Sequence, residues 1–408
     1  MLAPERRTRV DIAVAAAIAL VVIIAAALVW FGSNARGTTS SEAVTPAPRP
    51  SVATSVPGTL RETWRRSDTA GTVPMTAGGT VVSSSGSTVV GLDPTSGAPL
   101  WTYTRDVDLC SVIAAWNTAV AVYSDDRGCG QVTELDGSTG ARTAQRGSDA
   151  DDAVSLSTDG TYVSSRGSTR MEVWRSDLVR TLEYGRVDAP VNPGDQPRSG
   201  CQLLSTASSS SRVAVLEQCP GEEGPRLTTM NPAPKDNSKP EPYGSTILTD
   251  VPPGDSGARI LAVAGDRIGM YLPPSGGAVA RVGVFDGSSN FVTAWPLATA
   301  ATTTGGDGRN VVKTGSVLAW WTGETTLGLA QTDLATRWSV GETLGAGVPM
   351  AGKLLVPVRA GLAVIDPGTG RIENTIIVDR GGYTGPVGLA VLGTTVLEQR
   401  GTDLVALA

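Results

Sequence analysis

Histidine is absent from the 408 residues, and cysteine occurs at four positions, Cys110, Cys129, Cys201 and Cys219. Without an imidazole, a histidine general base, a histidine metal ligand and a Ser-His-Asp relay are all closed to this chain. No G-x-x-x-x-G-K-[ST] run is present to cradle phosphates. Carboxylates do cluster. Asp149, Asp151 and Asp152 in "SDADD" offer the hard oxygens that calcium takes. They lack the glycine and distal Glu of an EF-hand loop, so they read as solvated turn residues. Asp125, Asp126 and Arg127 in "DDRGC" form a charged cluster beside a cysteine and a candidate recognition surface. Glu222 and Glu223 in "PGEEGP" read as a solvated loop. Trp320 and Trp321 would point to opposite faces of one strand, as core packing in preference to a stacking platform. No catalytic, cofactor-binding or metal-ligating residue is assigned.

The elements around these residues are mostly short strands. The chain has 49 Gly, 26 Pro and a net charge of −6. Turn formers among Val and Thr favour strands over helices. A net negative charge argues against a nucleic-acid partner, which needs a basic face.

Residues 12–32 are a continuous apolar run, long enough to cross a hydrocarbon core of about 30 Å as a helix. Arg6, Arg7 and Arg9 precede it and only Arg36 follows closely. The positive-inside rule therefore keeps residues 1–11 in the cytoplasm and exports the rest. A cleavable signal peptide is the competing reading, but its apolar core runs only about 7–15 residues. Residues 33–58, rich in Ser, Thr, Pro and Ala, predict a disordered stalk holding residues 59–408 away from the bilayer.

Beyond the stalk the chain repeats itself. "VPMTAGGTVVSSSGSTVVGLDPTSGAPLW" at Val73 and "VPMAGKLLVPVRAGLAVIDPGTGRIEN" at Val348 follow one course of strands and glycine turns. Weaker copies include "ELDGSTGARTA" at Glu134 and "VFDGSSNFVTAW" at Val284. Four short strands per unit at such a spacing predict β-propeller blades.

"GLDPTSGAPLW", with Gly91, Asp93, Gly97 and Trp101, resembles the tryptophan-docking repeat of quinoprotein-dehydrogenase-like propellers, Ala/Gly-x-Asp-x-x-x-Gly-x-x-x-Trp. Asp136 and Gly140 keep the turn, with Ala144 in place of the Trp; Asp366 and Gly370 do likewise, with Asn374. Asp286 is followed by Asn290, a residue that tolerates a left-handed turn, and by Trp295 one place late. In that repeat the Asp bonds the turn, the Gly takes positive φ, and the Trp wedges between blades.

Outermost strands fall near Trp64, Trp101, Ala144, Tyr184, Tyr243, Trp295, Trp338 and Asn374. The expected fold is therefore an all-β, eight-bladed propeller with one transmembrane helix. Leu60–Trp64 completes the last blade after the chain ends in "DLVALA". Seven blades stay open, because the stretch from Cys201 to Tyr243 is irregular.

In this register each cysteine pair joins the head of a first strand to the tail of the second. Disulfides Cys110–Cys129 and Cys201–Cys219 follow, as suits an oxidising compartment. A four-Cys zinc site would need close C-x-x-C knuckles. The long loops, including "DDRGCG", "RGSDADD" and "EQCPGEEGPR", gather on one face, the expected side for a partner.

The resemblance implies, as one alternative, a dehydrogenase using pyrroloquinoline quinone and calcium. Those enzymes are longer and many carry an adjacent cysteine pair that this chain lacks. The chain also resembles membrane-anchored propellers of actinobacteria, including mycobacteria. The leading expectation is a non-enzymatic scaffold without cofactor, meeting a protein partner in cell-envelope processes. An extracellular carbohydrate- or peptide-binding sensor is the other alternative.

Overall fold

Alternating apolar runs cut by glycine turns fold as antiparallel hairpins. Thr80–Ser85 and Thr88–Leu92 show how: Ser85 lies opposite Thr88, leaving a two-residue turn in which Gly86 takes a φ of 56°. Such a turn needs positive φ, which glycine adopts without a Cβ clash. In the computed structural model, which describes residues 8–33, 36–69, 71–302 and 310–408, these hairpins build eight sheets in a ring. Seven blades span 75–104, 109–147, 155–185, 202–247, 259–296, 311–341 and 348–377. The eighth joins 387–407 to the strand Glu62–Ser67. The stretch from Cys201 to Tyr243 contributes to a complete fourth blade, which decides for eight over seven.

Closure occurs in the expected blade, with the closing strand at Glu62–Ser67 starting two residues after the expected Leu60–Trp64 and ending three residues further on. Trp64 lies opposite Ala406 and Ser67 opposite Asp403, so strands from both ends of the chain share one ladder. This removes the open edge that an unclosed ring would present. The core lies in layers between neighbouring sheets; Val81 and Leu92 of the first blade meet Leu397 and Leu404 of the eighth across one such layer.

The N-terminal helix runs Arg9–Phe31, starting before the apolar stretch because Thr8 caps it. Thr8 Oγ1 accepts from the Asp11 amide at 3.2 Å and the Thr8 amide donates to Asp11 Oδ2 at 2.7 Å. The helix buries none of its length against protein, and by size and composition it could span a membrane. Arg6 and Arg7 lie outside the described residues.

The expected stalk is the main departure. From Arg36 onward this segment is packed onto the propeller. Thr39–Ser41 adds a fifth strand to the outer edge of the first blade, with Thr39 opposite Thr104 and Ser41 opposite Thr102. The chain then crosses the face opposite the long loops. The Ala43 and Ala47 amides donate to the carbonyls of Thr139 (2.9 Å) and Ser138 (3.0 Å). Ala53 and Leu60 enter a core cluster with Met350 and Val387. Composition predicts disorder because such residues cannot build a core of their own. Backbone pairing to an existing edge needs no large side chains, and that escapes a compositional reading.

Candidate functional site

The repeat residues do structural chemistry. Asp93 Oδ1 accepts from the Thr95 and Ser96 amides at 3.0 and 2.8 Å, and Gly97 follows at a φ of 68°. Asp136 with Gly140, and Asp366 with Gly370, repeat the arrangement. In the Asp286 turn Ser289, not Asn290, takes positive φ (66°), while the Asn290 side chain bonds Asp286. The difference arises because this turn is one residue shorter, the Ser289 amide donating to Asp286 O at 3.0 Å where the Gly97 amide donates to Asp93 O at 2.8 Å.

Indoles then clamp neighbouring blades. Trp101 Nε1 donates to Gly137 O at 2.9 Å, Trp64 Nε1 to Pro94 O at 3.0 Å, and Trp338 Nε1 to Pro367 O at 2.9 Å. Trp295, one place late, still reaches the next blade through Asp333 O at 3.0 Å. A Cβ on Gly91 would overlap the Trp101 ring, and one on Gly328 would overlap Trp338. The first glycine of the repeat therefore makes room for an indole on the paired strand. In the second blade Glu134 sits at that place, opposite Ala144. The seam between the second and third blades packs Val120, Val122 and Val132 against Leu156, Val163 and Trp174, with Ala144 beside them, and adds a group of ions.

That seam is the candidate site. Strand Arg170–Trp174 carries Arg170 and Glu172 on one face by two-residue alternation. Glu172 receives Arg146 Nε at 3.0 Å, Arg170 Nη2 at 2.9 Å and the Trp174 indole at 2.8 Å. Arg170 also reaches Glu183 at 3.1 Å, and Arg180 meets both Glu183 and, at 3.4 Å, Glu172. Burial alone would raise the Glu172 carboxyl, but Arg146, the Trp174 N–H and the other guanidiniums hold it below the usual carboxylate range. Burial, with Arg146 and Arg170 adding repulsion, pushes the Arg180 guanidinium below its ordinary value despite Glu172. Arg146, Arg170, Arg180 and Glu183 line an open depression of about 710 Å³, to which Asn237 and Ser238 of the fourth blade also contribute.

The sequence-selected loop residues divide. Arg127 and Asp149 stand at the rim of this depression, 3.4 Å apart, and Asp125 holds the Arg127 amide at 2.8 Å. Asp151 turns away to accept from the Thr169 amide and hydroxyl at 2.7 and 2.6 Å. Its burial pulls upward, but these bonds with Arg170 and Arg186 hold its carboxyl low. The three aspartates of "SDADD" thus do not converge as a calcium cage. Asp126 and Asp152 are exposed. Glu222 is tied to Arg226 Nε at 2.9 Å and Glu223 faces solvent, far along the chain from the seam.

Cys110 bonds Cys129 and Cys201 bonds Cys219, the pairing expected. Cys129 stands at the head of a third strand, Gly128–Asp136, just past the end of the second. Among the described residues, the one trio of potential metal ligands in mutual reach is Cys201, Glu217 and Cys219, whose sulfurs are already joined to each other. Trp320 and Trp321 are both buried, and Trp321 donates to Thr343 O at 3.1 Å, so they are core.

Arg146, Arg170, Glu172, Arg180 and Glu183 are not evident as a site from the sequence. The available signal was a Glu inside the apolar strand "MEVW", following a blade whose docking tryptophan is missing.

No family model matches the chain, and no curated protein matches it. Solved structures do share its fold. The yeast (Saccharomyces cerevisiae) protein Sqt1 superposes with a TM-score of 0.55 at 9% identity over 86% of this chain and 99% of its own. The quinohemoprotein alcohol dehydrogenase of Comamonas testosteroni gives 0.52 at 12% identity, covering 88% of this chain and 78% of its own. The computationally designed Ika8 gives 0.52 at 12%, covering 88% and 99%. At such identities the likeness establishes an eight-bladed propeller and not an activity.

Proposed function

We propose that this protein is an interaction scaffold held on the outer surface of the cytoplasmic membrane, recruiting a protein partner in cell-envelope processes. Helix Arg9–Phe31 supplies the anchor, Arg9 lies on its inner side by the positive-inside rule, and two disulfides suit an oxidising exterior. One observation carries the reading: the packed strap shortens the tether. Between the helix end at Phe31 and the strand beginning at Thr39 only residues 32–38 remain. Fully extended, these span at most about 25 Å. The strap enters beside Asp106, on the loop-bearing side of the ring, where a Cβ on Gly37 would collide with that side chain. The loop face at the first two blades is thus kept close to the bilayer, within reach of another membrane-bound protein. Crosslinking in native membranes from residues placed at Asp126 and Asp152, followed by mass spectrometry, should capture one dominant protein. Capture of lipid alone, or of an unselective protein mixture, would refute the scaffold.

A further inference from the structure

We propose that the Cys201–Cys219 bridge is an exchangeable disulfide that takes electrons from an external dithiol, with Glu217 giving a proton to the departing sulfur. This goes beyond the scaffold reading and does not depend on it. Cys201 stands just before the first strand of the fourth blade, Gln202–Ser209, and Cys219 just after its second, Arg212–Gln218. A carboxylate oxygen of Glu217 and the two sulfurs all lie within 4.8 Å of one another.

The molecule carries its own comparison. Cys110–Cys129 ties nearly the same places of the second blade, and among the described residues no carboxylate lies in such reach of both its sulfurs. Cys129 Sγ instead faces the Asp152 carbonyl oxygen at 3.0 Å, which has no proton to give. A bridge that only ties two strands thus needs no acid beside it. Glu217 is 0% exposed, and burial raises its carboxyl, so it keeps its proton to higher pH than a solvated carboxyl does. Its donors, Thr228 at 2.7 Å and Tyr184 at 2.8 Å, require only an acceptor. A glutamine would supply one without burying an ionisable group. The charged groups facing it are Arg198 at 3.6 Å and Arg226, itself held by Glu222 at 2.9 Å; both pull the carboxyl down, but by less than burial raises it. The bridge lies at the loop-bearing face: Cys201 and Cys219 are 5% and 7% exposed, and Gly200, Gln202 and Pro220 beside them are open to solvent.

The exchange balances. A thiolate of the dithiol attacks one sulfur of the bridge. The S–S bond breaks, its electron pair leaves on the other sulfur, and that sulfur takes the Glu217 proton. Without the acid, a charged thiolate would be left in a buried place, which is costly. The second thiol of the dithiol, as its thiolate, then attacks the mixed disulfide and expels the first cysteine. The two protons that the dithiol has released to water restore Glu217 and protonate the expelled cysteine. Two electrons have passed: the dithiol is oxidised to a disulfide, and the bridge is reduced to two thiols.

The test is reduction of the full-length protein in nanodiscs by dithiothreitol, with free thiols alkylated at intervals and each bridge counted by peptide mass spectrometry. Burial alone would open Cys110–Cys129 first, since Cys110 is only half-buried. The reverse order is expected here, Cys201–Cys219 opening at least about tenfold faster, a modest share of what a placed general acid supplies. Glu217→Gln, which keeps an acceptor for Tyr184 and Thr228, should slow Cys201–Cys219 about tenfold and leave Cys110–Cys129 unchanged. Scaled to the concentration of dithiothreitol thiolate, the natural protein's rate at Cys201–Cys219 should fall as pH climbs through the raised Glu217 value, and the variant's should stay flat. The ratio of the two bridges and this pH profile test the natural protein without relying on the variant's folding. Equal rates at the two bridges, a rate indifferent to Glu217→Gln, or equal slowing of both bridges would overturn the proposal. So would a Cys201–Cys219 rate that rises with urea in step with global unfolding, because the exchange would then belong to the unfolded chain.

Discussion

A single indole and the glycine facing it settle how two blades meet. Trp101 is 1% exposed, caps the neighbouring turn through Gly137 and lies flat because Gly91 has no side chain. Trp101→Ala should cost about 3–5 kcal/mol in urea unfolding, as a buried indole deletion does. Ala144→Trp should also destabilise, because Glu134 occupies the opposite place. Stability unchanged by Trp101→Ala would mean that the clamp contributes nothing. Glu217 makes a separate, pH-dependent prediction. Burial raises its carboxyl above the ordinary value, against hydrogen bonds from Thr228 at 2.7 Å and Tyr184 at 2.8 Å. A raised folded-state value means that the folded protein binds the proton more tightly than the unfolded chain does. Stability from this group is therefore full below the unfolded carboxylate value and falls as pH climbs through the folded one. The unfolding free energy of Glu217→Gln relative to the natural protein should accordingly rise with pH across that window. A pH-independent difference would reject the assignment.

Among the elements, the strap and the disulfides make the sharpest tests. In a disordered stalk the amides of Ala43 and Ala47 would exchange with solvent freely. Bonded to Thr139 and Ser138, they should show protection in hydrogen exchange comparable to strand amides of the first blade. Exchange at the unstructured rate would restore the long tether and withdraw the membrane-proximal placement. The Cys201–Cys219 bridge closes a loop with a sequence separation of 18. Replacing both cysteines with serine should cost about 3 kcal/mol, read as a lower denaturation midpoint. The disulfides were legible because each pair recurs at one place in the repeat. The strap was not, since a three-residue strand of Thr and Ser carries no apolar period, and its partner edge exists only after the first blade has folded.

For the whole molecule, the prediction concerns distance. A donor dye at exposed position 108 and acceptors on lipid headgroups should give efficient energy transfer in nanodiscs, since residues 32–38 extend at most about 25 Å. Transfer as weak as that expected of a free 33–58 stalk would contradict the packed strap. Much of this architecture can be read before any coordinates. The apolar run, the Asp–Gly turns, the spacing of outer strands and the orphan strand at Leu60–Trp64 are local patterns. Steric and hydrogen-bonding rules translate them directly into a helix long and apolar enough to cross a membrane, blades and a closed ring. The ion-lined seam and the strap could not be read that way. Arg146 comes from the second blade and Arg170, Glu172, Arg180 and Glu183 from the third, and Arg146 joins the others only once the two sheets lie side by side. Which ions are brought together, and which strand edge is already covered, depends on residues far apart in sequence, so only the assembled ring decides it.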